Sequence, residues 1–237
     1  MKAVILAGGK GARLAPYSKI LPKPLMPIGD MPILEILLHQ LKKAGITEVI
    51  ITVGHLAELL RAFFNDGERF GLKIEYSIEE VPLGTAGPLS LVASNLGETF
   101  LVANGDVLTT LDLKELVSAH RQSGAIATIA SHSRQVNIDL GVLQVDGSDE
   151  LTGYDEKPAF EYLVSMGIYV FEPEVLQYIP YNNYLDFPEL VLKLIGNGER
   201  VMSHRFDGYW QDLGHPDDYE QAVQDFDRLK PQFLGED

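Results

Sequence analysis

The stretch KAVILAGGKGARLAP, Lys2–Pro16, decides how the rest of the chain is read. Its apolar run, Ala3 to Ala7, does not alternate, which marks a strand buried on both faces, the environment of a parallel sheet. Three glycines, Gly8, Gly9 and Gly11, break the strand at once. In open α/β sheets ligands lie outside the carboxyl ends of the strands, so this loop falls on the binding edge.

Working outward, the pattern alternates. Pro32 to Ala44 carries Ile33, Ile36, Leu37 and Leu41 at helical spacing and stops at Gly45. EVIITVG (48–54) reads as strand, LAELLRAFF (56–64) as helix, KIEYSI (73–78) as strand, GPLSLVASN (87–95) as helix and TFLVANGD (99–106) as strand. Such alternation predicts an α/β class, a doubly wound sheet with helices on both faces and right-handed crossovers. After the helix LDLKELVSAHRQSG (111–124), the strands AIATIAS, GVLQV, ELTGYDEK and VSMGIYVF follow with little helix between them. There, antiparallel pairing is expected to extend the sheet. Helices near Phe187–Ile195 and Pro216–Leu229 flank the strands RVMSHRF and YWQDLG. No repeat or linker marks a second unit, so residues 1–237 are read as one domain.

Composition narrows the partners. The chain has 34 Asp and Glu against 19 Lys and Arg, a formal net charge of −15, which argues against a general nucleic-acid binder. Residues 1–29 reverse the balance locally: Lys2, Lys10, Arg13, Lys19 and Lys23 occur there with no acid. The absence of cysteine excludes disulfides, thiolate metal sites and thiol nucleophiles. The first apolar run is too short for a signal-peptide core or a membrane span, so a cytoplasmic protein without membrane partners is expected.

A glycine-rich loop after a strand can be a bare turn. With Lys10, Arg13 and Lys23 nearby, its N–H groups and cations also suit phosphate oxygens, and a triphosphate fits best. It is neither a Walker loop nor a full dinucleotide fingerprint. Asp106 in NGDVL ends an apolar strand on the same edge, and Asp212 in YWQDLGHP ends a late one. Each can cap a turn or hold Mg²⁺, which typically takes one or two carboxylates beside substrate phosphates. In DEKP, Glu156 and Lys157 point to opposite faces of a strand. The six histidines show no metal-ligand spacing and read as surface or helix residues. No G-x-S-x-G elbow supports acyl transfer.

In order, LAGGKGARLAP, PKPLMPIG, PLGTAGPL, NGDVL, DEKP, MGIYVF and YWQDLGHP resemble the sugar-1-phosphate nucleotidylyltransferases. The nearest motif likeness is to mannose-1-phosphate guanylyltransferases, whose C-terminal β-helix has no counterpart in these 237 residues. The resemblance implies a Rossmann-like nucleotide-diphospho-sugar transferase sandwich with a mixed, mostly parallel sheet. It implies nucleotide contacts from Leu6, Ala7, Gly8, Gly9, Lys10, Gly11, Ala12, Arg13, Lys23, Glu79, Gly84, Thr85 and Gly105. Sugar contacts fall to Gly141, Glu156, Lys157 and Gly167, and Mg²⁺ ligation to Asp106 and Asp212. The catalytic set is Arg13, Lys23, Asp106, Lys157 and Asp212. The implied partners are a nucleoside triphosphate and a sugar 1-phosphate, and a homo-oligomer is compatible with the sequence.

Within that resemblance, Glu79 and Glu80 stand where thymidylyl and uridylyl relatives tend to carry glutamine. A carboxylate can accept both N1–H and the 2-amino group of guanine, so GTP with a mannose-like or heptose-like 1-phosphate is expected. The alternative is a uridylyl- or thymidylyltransferase acting on glucose-, N-acetylhexosamine- or muramate-1-phosphate. Two other classes fit less well. A glycosyltransferase would need D-x-D where NGDVL has one acid, and a nucleotide-sugar-sensing subunit would not need to keep these charged residues.

Overall fold

The computed structural model describes residues 1–9 and 11–235. Its strands and helices are, in chain order, β1 (Lys2–Ala7), β2 (Pro27–Ile28), β3 (Met31–Pro32), α1 (Ile33–Lys43), β4 (Glu48–Val53), α2 (Ala57–Phe64), β5 (Lys73–Ile78), β6 (Phe100–Asn104) and β7 (Val107–Thr109). There follow α3 (Leu113–Ser123), β8 (Ala127–Asn137), β9 (Gly141–Val145), β10 (Leu151–Glu156), β11 (Ala159–Phe171), α4 (Phe187–Gly196), β12 (Val201–Arg205), β13 (Trp210–Asp212) and α5 (Pro216–Leu234).

Seven strands form the central sheet in the order β12-β8-β11-β6-β1-β4-β5. β5, β4, β1 and β6 pair in parallel, as do β8 and β12. Only β11 runs against its neighbours β6 and β8. The expected antiparallel extension is therefore one reversed strand inserted into an otherwise parallel sheet. This is the mixed, mostly parallel sheet with helices on both faces that the sequence predicts.

The unalternating run of β1 now has its explanation. Ala3, Ile5 and Ala7 face a core shared with α1, α2 and α3, while Val4 faces the opposite core, built with α4 and the segment around Leu89. Both faces of the strand are dry. Ile5 is 0% exposed, so an Ile5→Ala truncation belongs to the class that costs about 2–5 kcal/mol. A third cluster joins α5 to α1 and the β2–β3 turn through Phe226, Phe233, Ile33, Ile36 and Ile28.

One expectation needs correction. GPLSLVASN is not an α-helix but two short 3₁₀ turns, Gly87–Leu91 and Ala93–Asn95. The Ser90 hydroxyl donates to Gly87 O at 2.7 Å, a local bond that competes with helical pairing. His120, a helix residue of α3 as expected, is 1% exposed, with Nδ1 2.8 Å from Thr128 Oγ1 and Nε2 3.1 Å from Glu172 Oε1.

Candidate functional site

From β1 the chain proceeds to β4 and β5 on one side, then returns to place β6 on β1's other side. The strand order reverses between β1 and β6, and at such a reversal the loops part and leave a crevice. A cavity of about 560 Å³ opens there. It is lined by the end of β1 and its loop, by Thr52 of β4, by Glu79 after β5, by Asn104 at the end of β6 and by Asp106 after it.

Most of the residues expected to bind a nucleotide come together on its wall, namely Leu6, Ala7, Gly8, Gly9, Gly11, Arg13, Lys23, Glu79, Gly84 and Thr85, joined there by Asp106, an expected Mg²⁺ ligand. Two glycines are required by close approach. Gly8 lies against the Glu79 carboxylate, where a Cβ would overlap it. Gly11 has φ +61°, and a Cβ there would sit 2.9 Å from Lys23 Cγ. The glycine loop thereby lets the Lys23 stem lie across it. Lys10 lies outside the described residues, and Ala12 opens a short 3₁₀ turn through Leu14.

Lys23 Nζ donates to Asp106 Oδ2 at 3.0 Å, and both side chains are largely shielded. Asp212 arrives from the far end of the chain because β13 pairs with β7, setting Asp212 opposite Val107; Leu213 N–H donates to Asp106 O at 3.2 Å. Burial raises the Asp212 pKa, and the Asp106 charge raises it further, while Lys23 and Arg13 oppose the shift. Glu79 is also raised by burial, offset by the Leu83 N–H that it accepts at 3.3 Å. Of the adjacent acids Glu79 and Glu80, only Glu79 faces the cavity.

The remaining expected residues lie elsewhere. Gly105 is buried beneath the loop, its N–H donating to Leu6 O at 3.0 Å. Gly167, at φ +73°, abuts the Asn104 side chain. Gly141, Glu156 and Lys157 are on or beside the β9–β10 hairpin and do not line the cavity; Lys157 is exposed at φ +48°. Glu156 and Lys157 make no bond with one another. Glu156 instead accepts from Tyr154 OH at 3.2 Å.

Sequence reasoning assigned no role to several wall residues, among them Thr52, Asn104 and Tyr184. Asn104 stood within NGDVL and was legible by position. Tyr184 had no local signal: its hydroxyl donates to Asp186 Oδ2 at 2.6 Å, and Asp186 Oδ1 accepts from Thr85 N–H and Oγ1 at 2.9 and 3.0 Å. That contact spans about a hundred residues of chain. Among the described residues no helix is long and apolar enough to cross a membrane.

Known proteins resemble this chain in sequence and in fold. A Synechocystis sp. UTP--glucose-1-phosphate uridylyltransferase is 38% identical, over 94% of this chain and 62% of its own length. The mannose-1-phosphate guanylyltransferase of Mycobacterium tuberculosis is 35% identical, over 95% of this chain and 64% of its own. The chain thus spans about three fifths of the curated relatives it matches. The structure of HddC from Yersinia pseudotuberculosis complexed with GMP-PN superposes with a TM-score of 0.74 at 25% identity, covering 95% of this chain and 99% of that one. The nucleotidyl transferase family model matches residues 2–228, which shows that the chain belongs to the nucleotidyl transferase family.

Proposed function

We propose that this chain transfers a nucleoside monophosphate from a nucleoside triphosphate to a sugar 1-phosphate, releasing pyrophosphate. The observation that carries the reading is the convergence of the glycine loop, Arg13, Lys23 and Asp106 on one strand-order reversal. In the proposed reaction an oxygen of the sugar 1-phosphate attacks the α-phosphorus in line, and the bond to pyrophosphate breaks. Charge grows on the leaving group, so catalysis rests on positioning and electrostatic stabilisation. Arg13 and Lys23 offset that charge. Lys157 is assigned to the acceptor's phosphate, with Gly141, Glu156 and Gly167 along the sugar.

Asp106 and Asp212 fit Mg²⁺ by their chemistry. Both offer anionic oxygens. Asp212 is shifted by burial and by charge, with no hydrogen bond among the described residues to satisfy it. Among the described residues no group of three or more His, Asp or Glu side chains could hold a metal ion; Mg²⁺ typically takes one or two protein carboxylates beside substrate phosphates. When bound, the ion would supply positive charge beside the phosphates.

GTP is the proposed nucleotide, with a mannose-like or heptose-like acceptor. Glu79 supports it: a half-buried carboxylate with one backbone donor has acceptor capacity left for the two adjacent donors of guanine. A second reading, uridylyl transfer to glucose 1-phosphate, is supported by the Synechocystis relative. The test is pyrophosphate release from GTP, UTP, dTTP, CTP and ATP, each with a panel of sugar 1-phosphates and Mg²⁺. GTP should give the highest kcat/KM, and Glu79→Gln should move the GTP-to-UTP ratio toward UTP by roughly tenfold. Faster turnover of UTP or dTTP by the native chain would overturn the GTP assignment; no release with any pair would overturn the reaction.

A further inference from the structure

We propose that His215 is a positioning residue that holds Arg13 in its working orientation; the inference rests on the nucleotidyl-transfer reading above. Arg13 stands on a short 3₁₀ turn between glycines and prolines. Its Nη1 lies 2.9 Å from His215 Nε2, a contact across 202 residues. A guanidinium only donates, so Nε2 must accept, and the ring must be neutral with its proton on Nδ1.

The position of His215 explains why the ring is free for this work. His215 is the N-cap of α5, where a side chain ordinarily accepts from the first helical N–H groups, yet it makes no capping bond. Pro216 at the next position removes one of those donors in any case. The imidazole turns to the nucleotide loop instead. Beside it, a Cβ on Gly214 would lie 3.2 Å from Arg13 Nη2 and 3.3 Å from Asp212 Oδ1, so the bare glycine lets the guanidinium settle over this turn. With Nη1 engaged by His215, the remaining N–H groups of Arg13 can face the cavity that Arg13 lines. The start of α5 thus acts as a brace for the loop after β1, and its N-cap His215 sits three residues beyond Asp212, the last residue of β13.

The test compares His215→Leu, which removes the acceptor, with His215→Gln, whose amide oxygen restores it, each alone and in an Arg13→Lys background. In the native background His215→Leu should lower kcat/KM for the nucleoside triphosphate roughly tenfold and leave KM for the sugar 1-phosphate unmoved. His215→Gln should stay within about twofold of the native chain. In the Arg13→Lys background His215→Leu should cost less than about twofold, because the residue through which it acts is gone. Melting midpoints of all variants should match that of the native chain, separating positioning from folding. Equal losses in both backgrounds, a Gln variant as poor as the Leu variant, or a native-like Leu variant would each overturn the proposal. If the native chain releases no pyrophosphate with any substrate pair, the reaction assignment fails first, so the two failures are distinguishable.

Discussion

At the scale of the residue, the Lys23–Asp106 pair shows how an acidic chain holds a cationic group at its cavity wall. Lys23 is held at the cavity wall by a carboxylate 3.0 Å away, and its stem lies across Gly11, where a Cβ would come within 2.9 Å of Cγ. Asp106→Asn keeps the shape and removes the charge. The expected outcome is a folded protein whose pyrophosphate release falls at least about a hundredfold, since a neutral amide is a poor ligand for a divalent cation beside phosphates. Circular dichroism and a pyrophosphate assay check both halves, and near-native turnover would remove Asp106 from the site. The types and spacing of these residues were legible in the sequence. The Arg13–His215 and Thr85–Asp186 contacts were not, because they join positions separated by some hundred residues or more.

Among the elements, helices declared themselves where caps and periodicity agreed. In α3 the Asp112 side chain accepts from Lys114 N–H at 2.8 Å and Glu115 N–H at 3.3 Å, and Gly124 ends the helix with φ +63°. Asp112→Ala should therefore cost about 1 kcal/mol, read as a lower urea midpoint with an unchanged m-value, while Asp112→Asn should retain most of the stability. A full-sized loss in the Asn variant would argue against capping. GPLSLVASN misled because its apolar spacing resembles a helix. Ser90 also accepts from Asn182 N–H at 3.0 Å, and Leu185 O accepts from the N–H groups of Ala86 and Gly87, so the segment is held by tertiary bonds to a distant loop.

Across the whole molecule, the edge of the sheet opposite the cavity carries a buried polar network. His120 of α3 meets Thr128 of β8 and Glu172 after β11, and Glu172 also accepts from Thr99 Oγ1 at 3.0 and 2.9 Å. Burial lowers the His120 pKa from its usual 6.5, and Glu172 only partly opposes the shift. The unfolded chain then binds the proton more readily than the folded one. The contribution of neutral His120 to stability is complete above about pH 6.5 and is lost as pH falls below it, at no more than about 1.4 kcal/mol per pH unit. Urea midpoints of the native chain and His120→Gln, compared from pH 7.5 to 5, should diverge in that window, with the native chain losing more. Parallel curves would mean that His120 does not titrate with folding.

What the sequence by itself determined was the material of the site and the class of the fold. The unalternating apolar strands required two dry faces, and the glycine loop with its cations marked an anion-binding edge, since both signals depend on neighbours in the chain. The tertiary structure alone decided the strand order, the single reversed strand β11 and the crevice between β1 and β6. It also decided that Glu79, and not Glu80, faces the cavity, and that the last strand and helix bring Asp212 and His215 beside the first loop. Those outcomes depend on which surfaces pack and which distant backbone groups pair, and no local run of residues encodes them.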